Sequence, residues 1–322
     1  MIVFQGVTTV ATRKVGFLHN RTKASFQKHF AAFVSRMYDF VDEDEDVIII
    51  ERWAGDDSEK TLEQHAADLV DLVNEDTDVI VAAGGPQSAK AAQKATAKKK
   101  VPIVFTPVTD PVHLKLVYSL DKPETNFTGI AGMTSELDVT RLQLLFELLG
   151  SRKETRIGVL NNTERPHFAQ QHQKLLDAAS KLNVTLESMD VGNLAGIAEI
   201  EAKFKSFKAP PDAFLVTADS LFNDLRKDLV GLAKGVPAIY QWREFADAGG
   251  LMSFGPNIIE AYEKVGEYVG HILHGAKPAH LPVSLPNRFE LVINLGVAQA
   301  AGLAIPASLL SRAEFVRRRL RT

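Results

Sequence analysis

Residues 78–111, DVIVAAGGPQSAKAAQKATAKKKVPIVFTPVTDP, decide the fold. They open on a short apolar run, Asp78–Ala82, that ends in Gly84-Gly85-Pro86. The alanine-rich segment Gln87–Lys98 follows with helical composition, and a second apolar run, Val101–Phe105, is stopped by Pro107 and Pro111. Runs this apolar have no polar face to give to water, so they read as strands covered on both sides. A strand, a helix and a second such strand make a parallel crossover unit.

The same grammar extends outward in both directions. Toward the N-terminus, Lys14–Leu18 and Asp46–Glu51 read as strands. The helix Ala24–Phe40 places Phe26, Phe30, Phe33, Val34 and Met37 on one face, and Thr61–Asn74 does the same with Leu62, Ala66, Leu69, Val70 and Val73. Asn126–Ala131 closes this first series. A second series then begins. Strands at Arg156–Leu160, Val184–Ser188, Ala213–Thr217, Val236–Tyr240 and Gly250–Phe254 enclose a helix near His167–Leu182, one carrying Ile197, Ile200, Phe204 and Phe207, and one carrying Leu221, Leu225 and Leu232.

Two series meeting around residues 130–155 predict an α/β fold of two doubly wound parallel-sheet lobes. The segment after Phe254 holds one amphipathic helix (Ile258, Ile259, Tyr262, Val265, Val269, Ile272), an extended stretch at Leu281–Pro286, the strand Phe289–Ile293 and a short helix near Gly296–Gly302. It is too small for a domain of its own and must complete sheets begun earlier, so the chain crosses between lobes more than twice. The expected division is 14–132 plus 252–280 for the first lobe and 133–251 plus 281–322 for the second, with 1–13 as an N-terminal extension. A multi-strand hinge of this kind permits closure of the lobes around a cleft.

Composition narrows the function. The chain has 322 residues, 45% hydrophobic and 24% charged, with a formal net charge of −3. No global basic field points to nucleic acid or an anionic membrane. Cysteine is absent, which excludes disulfides, thiolate metal sites and cysteine nucleophiles. No stretch has the apolar length of a membrane span, and Met1–Thr12 lacks the basic leader and sustained apolar core of a signal peptide. The acidic run Asp42–Asp46 and the basic runs Lys98–Lys100 and Arg317–Arg319 read as solvated ends of elements.

In open α/β sheets ligands bind beyond the carboxyl ends of the strands, where helix N-termini present free N–H groups. In the first lobe this selects His19 and Asn20, the turn Gly84-Gly85-Pro86-Gln87-Ser88, and Thr106–Pro111 with Thr109 and Asp110. In the second it selects Asn161 and Asn162, Asp219, and Tyr240-Gln241-Trp242-Arg243. The glycines before Pro86 allow close backbone approach, and Ser88 with the adjoining N–H groups suits a carboxylate; a plain helix cap is the alternative. Asn161, Asn162 and Asp219 suit a polar solute or serve as caps. Tyr240, Trp242 and Arg243 offer stacking surface and a fixed positive fork, with an ion pair between Arg243 and Glu244 as the other reading.

No P-loop, dinucleotide fingerprint, nucleophile elbow or zinc-protease motif occurs, and the nine histidines form no metal-ligand pattern. The groups left to an enzyme are Asp110, Asp219, His19 and His167. No cofactor is expected.

Four stretches resemble the ABC-transporter substrate-binding family whose better-known members take up amino acids such as tryptophan and tyrosine. They are Asp78–Ala89 (DVIVAAGGPQSA), Pro102–Pro111 (PIVFTPVTDP), Ile239–Gly255 (IYQWREFADAGGLMSFG) and Gly270–Leu310, whose F-E-L-V-I-N strand and A-x-x-x-G-L-x-I-P segment match the family's C-terminal signature. The chain departs from the family in the acidic run within Tyr38–Val47 and in the basic loop His19–Lys23. The resemblance implies a type I periplasmic-binding fold and ligand contacts at Gln87, Ser88, Thr109, Asp110, Asn161, Asn162, Asp219 and Gln241–Arg243. It also implies an ABC permease and ATPase as partners, and a periplasmic or extracytoplasmic address. The expected function is capture of a small polar or anionic organic solute, an amino acid or aromatic carboxylate, in the cleft by hinge closure. A cytoplasmic ligand-sensing domain of the same fold and a small-molecule-modifying α/β enzyme are the alternatives.

Overall fold

The computed structural model describes residues 12–42, 46–132, 134–152, 154–165, 168–193 and 195–316. Glu43–Glu45 of the acidic run, His167 and Arg317–Arg319 lie outside them, as do the first eleven residues of the expected N-terminal extension. The chain divides into two units, Met1–Gly132 with Ile259–Leu285, and Met133–Ile258 with Pro286–Thr322.

The first unit runs β1 (Thr12–His19), α1 (Lys23–Tyr38), β2 (Asp46–Trp53), α2 (Leu62–Leu72), β3 (Val79–Ala83), α3 (Pro86–Ala95), β4 (Ile103–Val108) and β5 (Phe127–Ala131). Its five-stranded sheet has the order β2-β1-β3-β4-β5, every pairing parallel. β3 and β5 are buried at every residue, whereas β2, at the sheet's edge, is mostly half-buried. Helix α1 buries Phe26, Phe33 and Met37 as its period requires, but His29 joins them while Phe30 and Val34 stay half-exposed. Helix α2 opens with a capping box, Thr61 accepting from the Gln64 N–H and Gln64 accepting from the Thr61 N–H.

The second unit opens with α4 (Thr134–Leu148). Then come β6 (Arg156–Asn162), α5 (Phe168–Leu182), β7 (Thr185–Val191), α6 (Ile197–Lys205), β8 (Ala213–Val216), α7 (Ser220–Asp224), α8 (Arg226–Leu232), β9 (Ala238–Tyr240), α9 (Arg243–Asp247) and β10 (Met252–Pro256). The chain passes through α10 (Ile258–Leu273) and a 3₁₀ turn at Pro278–His280 in the first unit, then returns with β11 (Phe289–Ile293), α11 (Leu295–Ala300), α12 (Ala307–Leu310) and β12 (Ala313–Phe315). The seven-stranded sheet, β12-β11-β10-β9-β8-β6-β7, is parallel except between β10 and β11.

Strand pairing moves the expected boundaries. β10 pairs with β9 and β11, which assigns 252–258 to the second unit. Residues 281–285 belong with the first: the Ala131 N–H donates to Ser284, the Ser284 N–H to Gly129, and the Thr128 hydroxyl to Leu281. Thr12 and Arg13 belong to β1.

Helix α4 escapes sequence periodicity because its buried side carries Asp138 and Arg141 among Leu137, Leu142, Leu145 and Leu148, and two charged residues blur the apolar stripe. The single helix expected over Leu221–Leu232 is broken at Leu225, whose backbone leaves helical geometry (φ −90°, ψ 13°). Among the described residues no helix is long and apolar enough to cross a membrane.

Candidate functional site

In the first unit, the ends of β1, β3 and β4 bring the selected loops together. Gly84 and Gly85 both take positive φ, 91° and 96°, between β3 and α3. A Cβ on Gly84 would lie 2.0 Å from the Asn20 side-chain oxygen, so glycine lets the β1 and β3 loops touch. The Gly84 N–H donates to the Thr106 hydroxyl at 2.9 Å, which binds the β4 end to the same turn. Gly85 is the N-cap of α3 and offers no side-chain acceptor; Pro86 follows it in the first turn. Ser88 is fully buried and its hydroxyl has no hydrogen-bond partner among the described residues. A ten-residue helix with an uncapped amino end and an idle buried hydroxyl in its first turn is suited to an anionic ligand group.

His19 is placed differently from its expected role. It is fully buried between Phe26 and Trp53, with ring centroids at 4.2 and 5.0 Å. Its Nδ1 accepts from the Arg21 N–H at 3.0 Å, and its Nε2 lies 3.2 Å from the Tyr262 hydroxyl on α10. An accepting Nδ1 assigns the ring proton to Nε2, which then donates to Tyr262. Both ring nitrogens are occupied inside the unit, so His19 fixes the β1 end against α10. Burial holds its pKa well below 6.5, with further lowering from His29 and Arg21. As pH falls below about 6.5 the unfolded chain takes up this proton while the folded ring does not. Stability is therefore full above that pH and declines on acidification, by at most about 1.4 kcal/mol per pH unit, until the folded ring titrates. Urea unfolding at stepped pH should show this slope reduced in His19→Phe; an identical slope in the variant would assign the effect elsewhere.

Asp110 is exposed, has φ 50°, and caps its own turn by accepting from the His113 N–H at 2.9 Å. Thr109 beside it is half-buried.

In the second unit, three of the selected residues, Asn162, Asp219 and Gln241, hold one another. The Asn162 amide donates to Asp219 at 2.9 Å and to Asn193 at 2.8 Å, while its oxygen accepts from the Glu164 N–H at 3.1 Å. The other Asp219 oxygen caps α7 through the Leu221 N–H at 2.8 Å. Gln241 clasps the Asp219 backbone from both sides, accepting from its N–H at 2.5 Å and donating to its carbonyl at 2.7 Å. Asn161 points the other way, toward Ser188 and Asp190 of β7, as alternation along a strand demands.

Two further residues leave the expected site. Tyr240 is 1% exposed and stacks on Phe245 at 4.7 Å, within the core. Arg243 pairs with Glu290 of β11 and Glu314 of β12, both at 2.7 Å, and so fastens the C-terminal strands, in place of the alternative pair with Glu244. Among the described residues the indole N–H of half-buried Trp242 has no partner, and Asn223, which sequence reading passed over, is fully buried with neither amide atom bonded.

Sequence reading also missed a charge cluster behind these loops. Arg141 is fully buried; its Nη1 donates to Asp138 at 2.5 Å, its Nε to the Phe254 carbonyl at 2.7 Å, and its Nη2 reaches the Gln241 carbonyl at 3.5 Å. Arg165 donates to the Ala218 carbonyl at 2.6 Å and faces the other Asp138 oxygen at 3.7 Å. The chain following β8 and β9, and the middle of β10, are thus tied to one buried carboxylate. Burial pulls the Arg141 pKa down and Asp138 opposes that shift. A Cβ on Gly255 would meet the Gln241 carbonyl oxygen at 2.1 Å, so β10 approaches this loop only with glycine there. The i, i+3 spacing of Asp138 and Arg141 was the available signal.

Of the residues left to an enzyme, the three that are described do not assemble acid–base chemistry within their units: His19 is sealed, Asp110 caps a turn, and Asp219 is held by Asn162 and the α7 backbone.

Comparison with known proteins agrees with this geometry. A family model described as ABC transporter substrate binding protein matches residues 39–317. A tyrosine-binding protein of Clostridioides difficile is 29% identical over 227 residues, 69% of this chain and 62% of that protein's length. The match therefore spans less than two thirds of that relative. A conserved domain protein of Vibrio cholerae superposes with a TM-score of 0.79 at 22% identity, over 96% of this chain and all of the other. A Streptococcus pneumoniae ABC domain solved in complex with L-Trp gives 0.76 at 23% identity, over 95% of this chain and all of that one. At such identities these structures establish the shared fold, that of two parallel-sheet α/β units.

Proposed function

Since the chain belongs to the ABC transporter substrate-binding protein family, we propose that it is the solute-binding component of an ABC uptake transporter. Its solute is a small polar or anionic organic molecule, an amino acid or aromatic carboxylate. Its partners are an ABC permease and ATPase, and its place of work is the periplasm or another extracytoplasmic space. The family match over 39–317 carries this reading. The relatives' ligands support the solute class, since one relative is named for tyrosine and another was solved with L-Trp.

Polar groups at the strand ends refine the contacts. In the first unit the uncapped α3 amino end with Gly85, Pro86, Gln87 and the idle Ser88 hydroxyl takes the solute's carboxylate, flanked by Asn20 and Thr109. In the second, the indole N–H of Trp242 and the amide of Asn223, without partners among the described residues, are groups available to a solute. Asn161, Asn162, Asp219 and Gln241 shape that end of the sheet.

Thermal-shift screening followed by calorimetry with L-tyrosine, L-tryptophan, L-phenylalanine and the corresponding aromatic acids tests the proposal. A solute present at one hundred times its Kd adds about 2.7 kcal/mol of apparent stability. A panel in which no amino acid or aromatic acid raises the Tm would refute the solute class. Ser88→Ala should weaken binding of the best solute by about tenfold, roughly 1–1.5 kcal/mol. The same substitution should leave the unliganded Tm unchanged or slightly higher, because it deletes a buried hydroxyl with no partner. Unaltered affinity would take Ser88 out of the contacts.

A further inference from the structure

Tyr240 closes β9, yet its side chain lines a cavity of about 700 Å³ inside the second unit. The cavity is walled by α8, α11 and the chain entering β9 and β10, the opposite ends of those strands from the loop of Gln241. Its volume falls within the range of small-molecule sites. The wall is apolar and built largely of small residues, with Val230, Val297 and Leu303 among its larger side chains.

Three features give this cavity chemical character. Tyr240 is 1% exposed, and its hydroxyl makes no hydrogen bond among the described residues. Lys227 and Lys234, both exposed, belong to the lining and pair with no carboxylate among the described residues. No acidic side chain lines the cavity to oppose them.

We propose that this cavity is a second ligand site, separate from solute capture, that takes a small amphipathic anion. The apolar body of the ligand lies against the Val230 and Val297 wall, and its acid group meets the Lys227 and Lys234 ammonium groups. In ligands that carry a second polar group, that group engages the Tyr240 hydroxyl. Medium-chain carboxylates and aromatic sulfonates share this chemistry.

The test uses the full chain and 8-anilinonaphthalene-1-sulfonate, whose fluorescence rises on entering an apolar site, with decanoate as competitor. The structure predicts saturable binding to the native protein and displacement by decanoate. Charge reversal by Lys227→Glu with Lys234→Glu should weaken the probe by about tenfold, as the loss of two exposed ion pairs implies. Ala300→Trp, at an exposed position of the cavity wall, should abolish binding while circular dichroism and the Tm stay at wild-type values. Saturating the protein with its amino-acid or aromatic solute should leave probe affinity unchanged. Non-saturable or absent binding would overturn the proposal, as would undiminished binding in Ala300→Trp. Displacement of the probe by the solute would also overturn it, by assigning the probe to the strand-end loops. Failure of every solute in the thermal-shift screen would bear on the transport reading alone.

Discussion

Replacing Arg141 with alanine is expected to lower stability by about 3–5 kcal/mol, the range for removing one partner of a buried ion pair. The guanidinium is fully buried and donates to Asp138 and to the carbonyl of Phe254. Its removal leaves the Asp138 carboxylate, 3% exposed, with Arg165 at 3.7 Å as its remaining ionic partner, and leaves the Phe254 carbonyl without its side-chain donor. Lysine should recover only part of the loss, because an ammonium does not reproduce the planar fork that spans two elements. Joint replacement by Arg141→Met and Asp138→Leu should be milder than the sum of the two single changes, since neither charge then stays buried alone. Urea unfolding of the two single variants and the double variant measures this coupling. A loss below about 1 kcal/mol in Arg141→Ala would show that the pair is no more than a solvated contact.

The second large effect is expected at Asp219. Alanine there removes the α7 cap, worth about 1 kcal/mol, and orphans a buried amide hydrogen of Asn162, worth about 1–3 kcal/mol. The expected loss is about 2–4 kcal/mol, appearing first as a lower urea midpoint. Asparagine should cost less, because it keeps the cap, but it sets an amide against the donating amide of Asn162. The distinction matters because the sequence placed Asp219 among the solute contacts, whereas the structure engages both carboxylate oxygens within the unit. Lost solute affinity at an unchanged urea midpoint would return the carboxylate to the solute.

Arg141 and Asp219 also show how far the sequence could be read. The strand list was legible because each strand is a contiguous apolar run, and the loops after the strands followed from a rule about sheet ends. Helix α4 was not legible, since Asp138 and Arg141 interrupt the apolar period on its buried side. Arg243 was legible as a charged group after β9 but not as the partner of Glu290 and Glu314, which lie 47 and 71 positions away. Tyr240 was correctly placed at a strand end and wrongly turned toward it. Its ring direction depends on the packing partner Phe245 and on Gly250, where a Cβ would lie 2.8 Å from the ring.

The sequence by itself determined the α/β class, the two series of strands, the family, and the loops in which a solute site belongs. Those properties are local: hydrophobic periodicity and contiguous motifs record them within a few turns of chain. Only the tertiary structure decided which polar atoms in those loops are already engaged and which are free. Asn162 meets Asp219 across 57 positions, and Arg141 meets Gln241 across 100. A hydrogen bond forms between atoms about 3 Å apart in space, whatever their separation along the chain. Residue type and order name the donors and acceptors; the fold selects their partners, and the Ser88 hydroxyl, the Trp242 indole and the Asn223 amide are among those with none in the described residues.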